Sequence, residues 1–215
     1  MTVAQRWIRA ALIAAAVAVP VLTLDAQIGK PQGVVDANTA SEQDLAGMPH
    51  MNASIAKALV GVRPFKSITD LNTFLVGQGL NQEQAMDFYK KAFVHVNLNT
   101  ATRDEILLIP GAGQRMVREF AEYRPWKTFT QFDKEIGKYV GADATARLAQ
   151  YVFIPVNLNT ATDEDIQSIP GAGPRMVREF KEYRPWKSWA QFDKEIGKYV
   201  EKKEVDRLKR YVVIE

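Results

Sequence analysis

No cysteine occurs among the 215 residues. That excludes structural disulfides, thiolate metal sites and a lipid-modified cysteine near the N-terminus, and leaves apolar packing to hold the fold. Histidine is nearly as scarce: His50 and His95 have no second histidine or carboxylate at metal-ligand spacing and are read as ordinary surface or packing residues. No Ser, His and Asp set with a nucleophile turn is present, and the many carboxylates fall into helix caps and charge pairs, so neither an enzyme nor a cofactor nor a small-molecule substrate is expected. A surplus of one charge is missing too. The chain carries 28 basic and 25 acidic groups, a formal net charge of +3, which leaves room for basic patches but not for a basic domain. Long apolar runs are also absent: Arg9 and Asp25 enclose 15 residues, fewer than the roughly 20 that a membrane-spanning helix needs.

That short run reads as an address. Arg6 and Arg9 precede an apolar stretch from Ala10 to Val19, Pro20 breaks it, and Ala26 offers a small residue before a cut at Gln27, so residues 1–26 are expected to be a signal peptide. Leu24 suits the third position before a cut poorly, which leaves the cleavage site open. A retained anchor and an uncleaved cytoplasmic leader are the alternatives. Cleavage would make the protein periplasmic or secreted with no stable span; retention would tether it to the membrane.

What fills the remainder is repetition. Residues 96–140 align without a gap to residues 156–200 and differ at ten of 45 positions, which marks a duplication. A weaker copy begins at Val35, and Asn-Thr-Ala recurs at Asn38, Asn99 and Asn159. Three units are expected, at 34–94, 95–154 and 155–215. Each is near the lower size limit for folding alone, so stacking against a neighbour would help. Phe93-Val-His-Val96 and Val152-Phe-Ile-Pro-Val156 are short and apolar, unlike linkers that keep domains apart, and predict one elongated or partly compact array.

Within a unit the periodicity is helical. Thr102 with Glu105 forms a capping-box pattern ahead of Ile106, Leu107 and Ile109, and Pro110-Gly111 stops that helix. A second helix is predicted from about Gln114 to Arg124, before Pro125. Thr128 with Gln131, repeated as Ser188 with Gln191, caps a third helix whose inner face is Phe132, Ile136 and Val140. A fourth follows Gly141, carrying Ala146, Leu148 and Val152. The expected class is all-α.

Ile109-Pro-Gly-Ala-Gly113 and Ile169-Pro-Gly-Ala-Gly173, each leading into Arg-Met-Val-Arg-Glu-Phe, carry the chemistry. Two glycines one residue apart permit a tight turn and close approach, and the following helix offers unpaired amides at its positive end, as in a phosphate-binding turn.

Val-Asn-Leu-Asn-Thr-Ala-Thr, then Ile-Pro-Gly-Ala-Gly, then Tyr-Arg and a capped helix containing Phe, resembles the tandem helix-hairpin-helix domain of ComEA-type DNA-uptake proteins, over essentially all of residues 35–214. The resemblance implies three tandem (helix-hairpin-helix)2 modules that bind double-stranded DNA without sequence preference. It also implies export to the periplasm or cell surface during competence, with DNA-uptake or envelope proteins as further partners. Carried over to this chain, hairpin amides and nearby basic residues would contact phosphate at Gly111, Ala112, Gly113, Arg115 and Arg118, and at Gly171, Ala172, Gly173, Arg175 and Arg178. The first unit departs from the pattern. Its first hairpin, Met48-Pro-His-Met-Asn52, lacks the glycine pair, whereas Val76-Gly-Gln-Gly79 keeps it, which adds Gly77 and Gly79 as further DNA-binding candidates. Pro174 removes an amide that Gln114 retains.

Each motif has a plainer reading. Arg115 and Arg118 lie four residues before Glu119 and Glu122, as solvated helix pairs worth about 0.2–0.5 kcal/mol do. The glycine pair also serves as a packing turn without ligand, so an envelope scaffold that uses the same fold for protein contacts is the alternative function. Trp126, Trp186 and Trp189 sit at helix-to-helix corners, where core or interface is expected ahead of base stacking.

Overall fold

The computed structural model describes Gly29 and residues 33–215; the expected signal peptide lies outside the described residues. The described chain is mostly helical, and one order of elements recurs three times. The first unit is β1 (Val35–Asp36), α1 (Glu42–Ala46), α2 (Ala53–Val62), α3 (Ile68–Gly77), α4 (Gln82–Tyr89) and β2 (Ala92–Phe93). The second is β3 (Val96–Asn97), α5 (Arg103–Leu107), α6 (Gln114–Glu122), α7 (Phe129–Val140), α8 (Ala142–Ala149) and β4 (Val152–Phe153). The third is β5 (Val156–Asn157), α9 (Asp163–Gln167), α10 (Pro174–Glu182), α11 (Trp189–Ile196), α12 (Lys202–Lys209) and β6 (Val212–Val213). None of the described helices is long and apolar enough to cross a membrane.

The caps behave as the sequence predicts. Thr102 accepts the Glu105 amide while the Glu105 carboxylate accepts the Thr102 amide. Thr128 and Ser188 accept from Gln131 and Gln191 at the starts of α7 and α11. Two helices are shorter than expected: α6 ends at Glu122, two residues before the cis Arg124–Pro125 bond, and α8 ends at Ala149. Val152 therefore lies in β4, not in the fourth helix.

The segments read as apolar connections pair as strands. Each unit closes on itself through a two-residue parallel bridge, Val35 opposite Ala92, Val96 opposite Val152, and Val156 opposite Val212. The Asn-Thr-Ala motif also finds its purpose here. Asn99 accepts the Trp126 amide at 2.6 Å and donates to the Trp126 carbonyl at 2.9 Å. Asn159 clamps Trp186 and Asn38 clamps Phe65 in the same way. Arg124 donates to the carbonyls of Leu98 and Ala101, and Arg184 to those of Leu158 and Ala161. The Tyr-Arg motif thus fastens the start of a unit to the corner after its second helix.

Trp126 and Trp186 are buried in that corner, their indole N–H groups donating to Phe120 and Phe180. The first two units share one apolar core, in which Phe93 meets Tyr151 edge-on at 5.0 Å. The third has its own, joined at Phe153, whose ring lies 4.6 Å from that of Tyr211. It also returns to the first unit, where Tyr211 Oη donates to Asp36 at 2.8 Å, and to the start of the second, where Arg210 donates to the His95 carbonyl at 3.0 Å.

Candidate nucleic-acid interface

The turn between α5 and α6 combines two different demands for glycine. Gly111 has φ +86°, in the left-handed region that a side chain disfavours. Gly113, the N-cap of α6, has φ −108°, and a Cβ built on it meets nothing within 4 Å. The third unit repeats this, with Gly171 at φ +78° and Gly173 at φ −80° facing open space. Backbone conformation explains Gly111 and Gly171; neither conformation nor packing explains Gly113 and Gly173.

Because the N-cap is glycine, no side chain caps the first amides of α6 or α10. The amides of Ala112 and Ala172 are spent inside the turn on Ile109 and Ile169, both at 2.9 Å. Gly173 donates to Gly171 at 3.1 Å. Donors for an anion in the second unit are therefore the Gly113 amide and the first amides of α6. In the third unit Pro174 at the first helical position supplies none.

Arg115 and Arg118, like Arg175 and Arg178, are exposed on the first turns of α6 and α10. Arg115 lies 4.9 Å above the Tyr139 ring and 4.0 Å from Glu119; Arg175 lies 4.8 Å above Tyr199. Tyr139 in turn hydrogen-bonds Tyr123 at 2.9 Å. That bond, followed by burial and by the Glu119 carboxylate, pushes the Tyr139 phenol well above its usual pKa. The Arg115–Glu119 pair expected from spacing is thus long, and the tyrosine face is the firmer support for the guanidinium.

Two cations beside the second-unit turn were not singled out in the sequence. Lys90 at the end of α4 and Arg147 on α8 line a cleft of about 400 Å³ with Pro110, Gly111 and Tyr151. Only their closeness in space to Gly111 connects them, although Arg147 sits 60 residues before Arg207, which holds the same place in the third unit. There the surroundings differ: a Cβ on Gly171 would come within 3.0 Å of Arg207 Nη2 and 3.3 Å of Thr39.

The first-unit hairpin keeps the turn without glycine. His50 takes the left-handed position at φ 63° and contacts Asp87 at 3.3 Å. Asn52 caps α2 by accepting the Ile55 amide at 2.9 Å, which occupies a donor left free in the other units. Gly77 and Gly79 are exposed, but they precede α4, whose first amides are engaged by an Asn81–Gln84 capping box. Trp189 is 41% exposed beside Lys209. No group of three metal-ligating side chains occurs among the described residues. Comparison of the chain with protein-family models, curated proteins and solved structures finds no match.

Proposed function

We propose that this chain is an exported, non-enzymatic protein of three tandem (helix-hairpin-helix)2 modules that holds double-stranded DNA without regard to sequence, as the ComEA-type resemblance implies, in DNA capture or uptake at the periplasmic face. The observation that carries the reading is the pair Gly113 and Gly173, glycines that neither the backbone angle nor a neighbour requires and that stand before helices left uncapped. A phosphate approaching those amides accounts for both features. Gly111, Ala112 and Gly171, Ala172 shape the turns, and Arg115, Arg118, Arg175 and Arg178 supply charge around them. Two such turns on one protein raise avidity along a duplex.

The test is to give the second and third units the cap that the first has. Gly113→Asn with Gly173→Asn places side-chain oxygens over the helix amides, as Asn52 does on α2. Duplex binding should fall by at least about tenfold, while helix stability is unchanged or rises by a few tenths of a kcal/mol. Unchanged DNA binding in this variant overturns the assignment. A scaffold function is the second reading, favoured by the exposed Trp189; Trp189→Ala would then disrupt a protein contact and leave DNA binding alone.

A further inference from the structure

Where the third unit meets the first, cationic groups converge without enough acceptors. Arg207 is 2% exposed, and its Nε and Nη2 grip Glu204 at 2.8 and 2.7 Å. Its third nitrogen, Nη1, is buried with no hydrogen-bond partner. Arg210 spends Nη2 on the His95 carbonyl and leaves Nη1 unpaired. Arg63 spends Nη1 on the Ala40 carbonyl and leaves Nε and Nη2 unpaired. Buried N–H groups without acceptors are rare in folded proteins because their desolvation is uncompensated.

The nearby carboxylates are already engaged. Glu204 serves Arg207, Asp206 pairs with Lys202 at 3.0 Å, and Asp36 accepts from His95 and Tyr211. Between the two units runs a cleft of about 330 Å³ lined by Phe65, Lys66, Lys203, Arg207 and Arg210. It lies beside a second hollow that Arg63, Lys203 and Arg207 also line. Pro64 and Phe65 form its apolar side, four cations and the carboxylate of Asp206 the rest, and the volume is within the range of small-ligand sites, about 300–1,000 Å³.

We propose that this cleft is a binding site for a nucleotide phosphate monoester, free or at the end of a strand. The phosphate oxygens provide the acceptors that the Arg207 and Arg210 guanidiniums lack, in the geometry guanidinium groups match best. The sugar and base lie along Phe65. Lys66 and Lys203, both exposed at the rim, add charge. The site shares no residue with the glycine turns, although Arg207 borders Gly171.

Calorimetric titration of the full chain with deoxyadenosine monophosphate, deoxyadenosine, inorganic phosphate and a trinucleotide with and without a terminal phosphate tests this. The monophosphate should bind with a Kd below about 1 mM, inorganic phosphate at least about tenfold more weakly, and deoxyadenosine not at all. A phosphorylated trinucleotide that binds as well as the mononucleotide identifies a strand end as the source; one that does not identifies the free nucleotide. Lys66→Glu with Lys203→Glu, confined to the exposed rim so that folding is preserved, should weaken binding by about tenfold or more. Gly113→Asn with Gly173→Asn should leave it unchanged even where duplex binding is lost, which separates this site from the proposed DNA surface. No binding of the monophosphate, equal binding of inorganic phosphate, or an unaffected rim variant overturns the proposal.

Discussion

Asp36→Asn changes one residue into the one its sister units carry, Asn97 and Asn157, and isolates what a buried charge contributes. The aspartate is 5% exposed. One oxygen accepts the Asn38 amide at 2.8 Å, a turn that asparagine also makes in the other two units. The second oxygen accepts from Tyr211 at 2.8 Å and faces His95 Nδ1 at 3.0 Å. The variant keeps the turn through its one oxygen and puts an amide NH2 in place of the second, so the charge is lost and Tyr211 and His95 must accept where they donated. Bonds to a charged group contribute about 1.5–3 kcal/mol and neutral ones about 0.5–1.5, so two weakened bonds cost about 2–3 kcal/mol. For a chain of this length that lowers Tm by roughly 5–10 °C.

The pH dependence gives a second readout. Burial alone would raise the Asp36 pKa, but the His95 hydrogen bond and charge, the Arg207 charge and the Tyr211 hydrogen bond outweigh it and hold it below the usual aspartate value. A depressed folded pKa contributes stability that is full above the unfolded value near 4 and disappears as pH falls through the folded value. Urea unfolding of both proteins should therefore show a large gap in midpoint at neutral pH that closes in acid. Equal midpoints at neutral pH, or a gap undiminished in acid, would refute the reasoning.

Asn99→Ala leaves the Trp126 amide and carbonyl, both beside a buried indole, without their side-chain partner, and should cost about 2–4 kcal/mol in urea unfolding; Asn159→Ala should match it through Trp186. Gly111→Ala meets no neighbour, so only its left-handed angle resists and the loss should be about 1 kcal/mol. Gly171→Ala adds contact with Arg207 and Thr39 and should lose measurably more. Trp189→Ala removes a ring that is 41% exposed and packs edge-on against Phe192, and should cost about 1–3 kcal/mol in the same assay, because the larger part of its surface is buried.

The helices were legible because their signals are local. Thr102 with Glu105 and Thr128 with Gln131 announce helix starts within four residues, and Pro125 limits the helix ahead of it. The bridges were not, since two residues such as Val96–Asn97 are too few to show an alternating pattern. The meeting of Asp36 with Tyr211 spans 175 residues, and no periodicity encodes a contact so distant. Arg124 was visible as part of a motif, but its role in binding the Leu98 and Ala101 carbonyls depends on the corner that the fold creates. His50 could have been found: it stands 61 residues before Gly111, the same interval as Asn38 to Asn99, which marks it as the left-handed residue of a degenerate turn. In the proposed interface, the glycine turns and their arginines were read from sequence. The spent amides of Ala112 and Ala172, and the presence of Lys90 and Arg147 beside Gly111, required the structure.

The central claim is that phosphate contacts at the two glycine turns hold DNA, and the most direct measurement is fluorescence anisotropy of a labelled random duplex across a salt series. The full chain would be compared with the variant in which Arg115, Arg118, Arg175 and Arg178 are all alanine. Each phosphate contact contributes about −0.9 to the slope of log K against log salt. The account predicts sequence-independent binding that weakens steeply with salt, and a variant whose slope is shallower by about 2–4. No binding at low salt, or a variant with the slope and affinity of the parent, would contradict it.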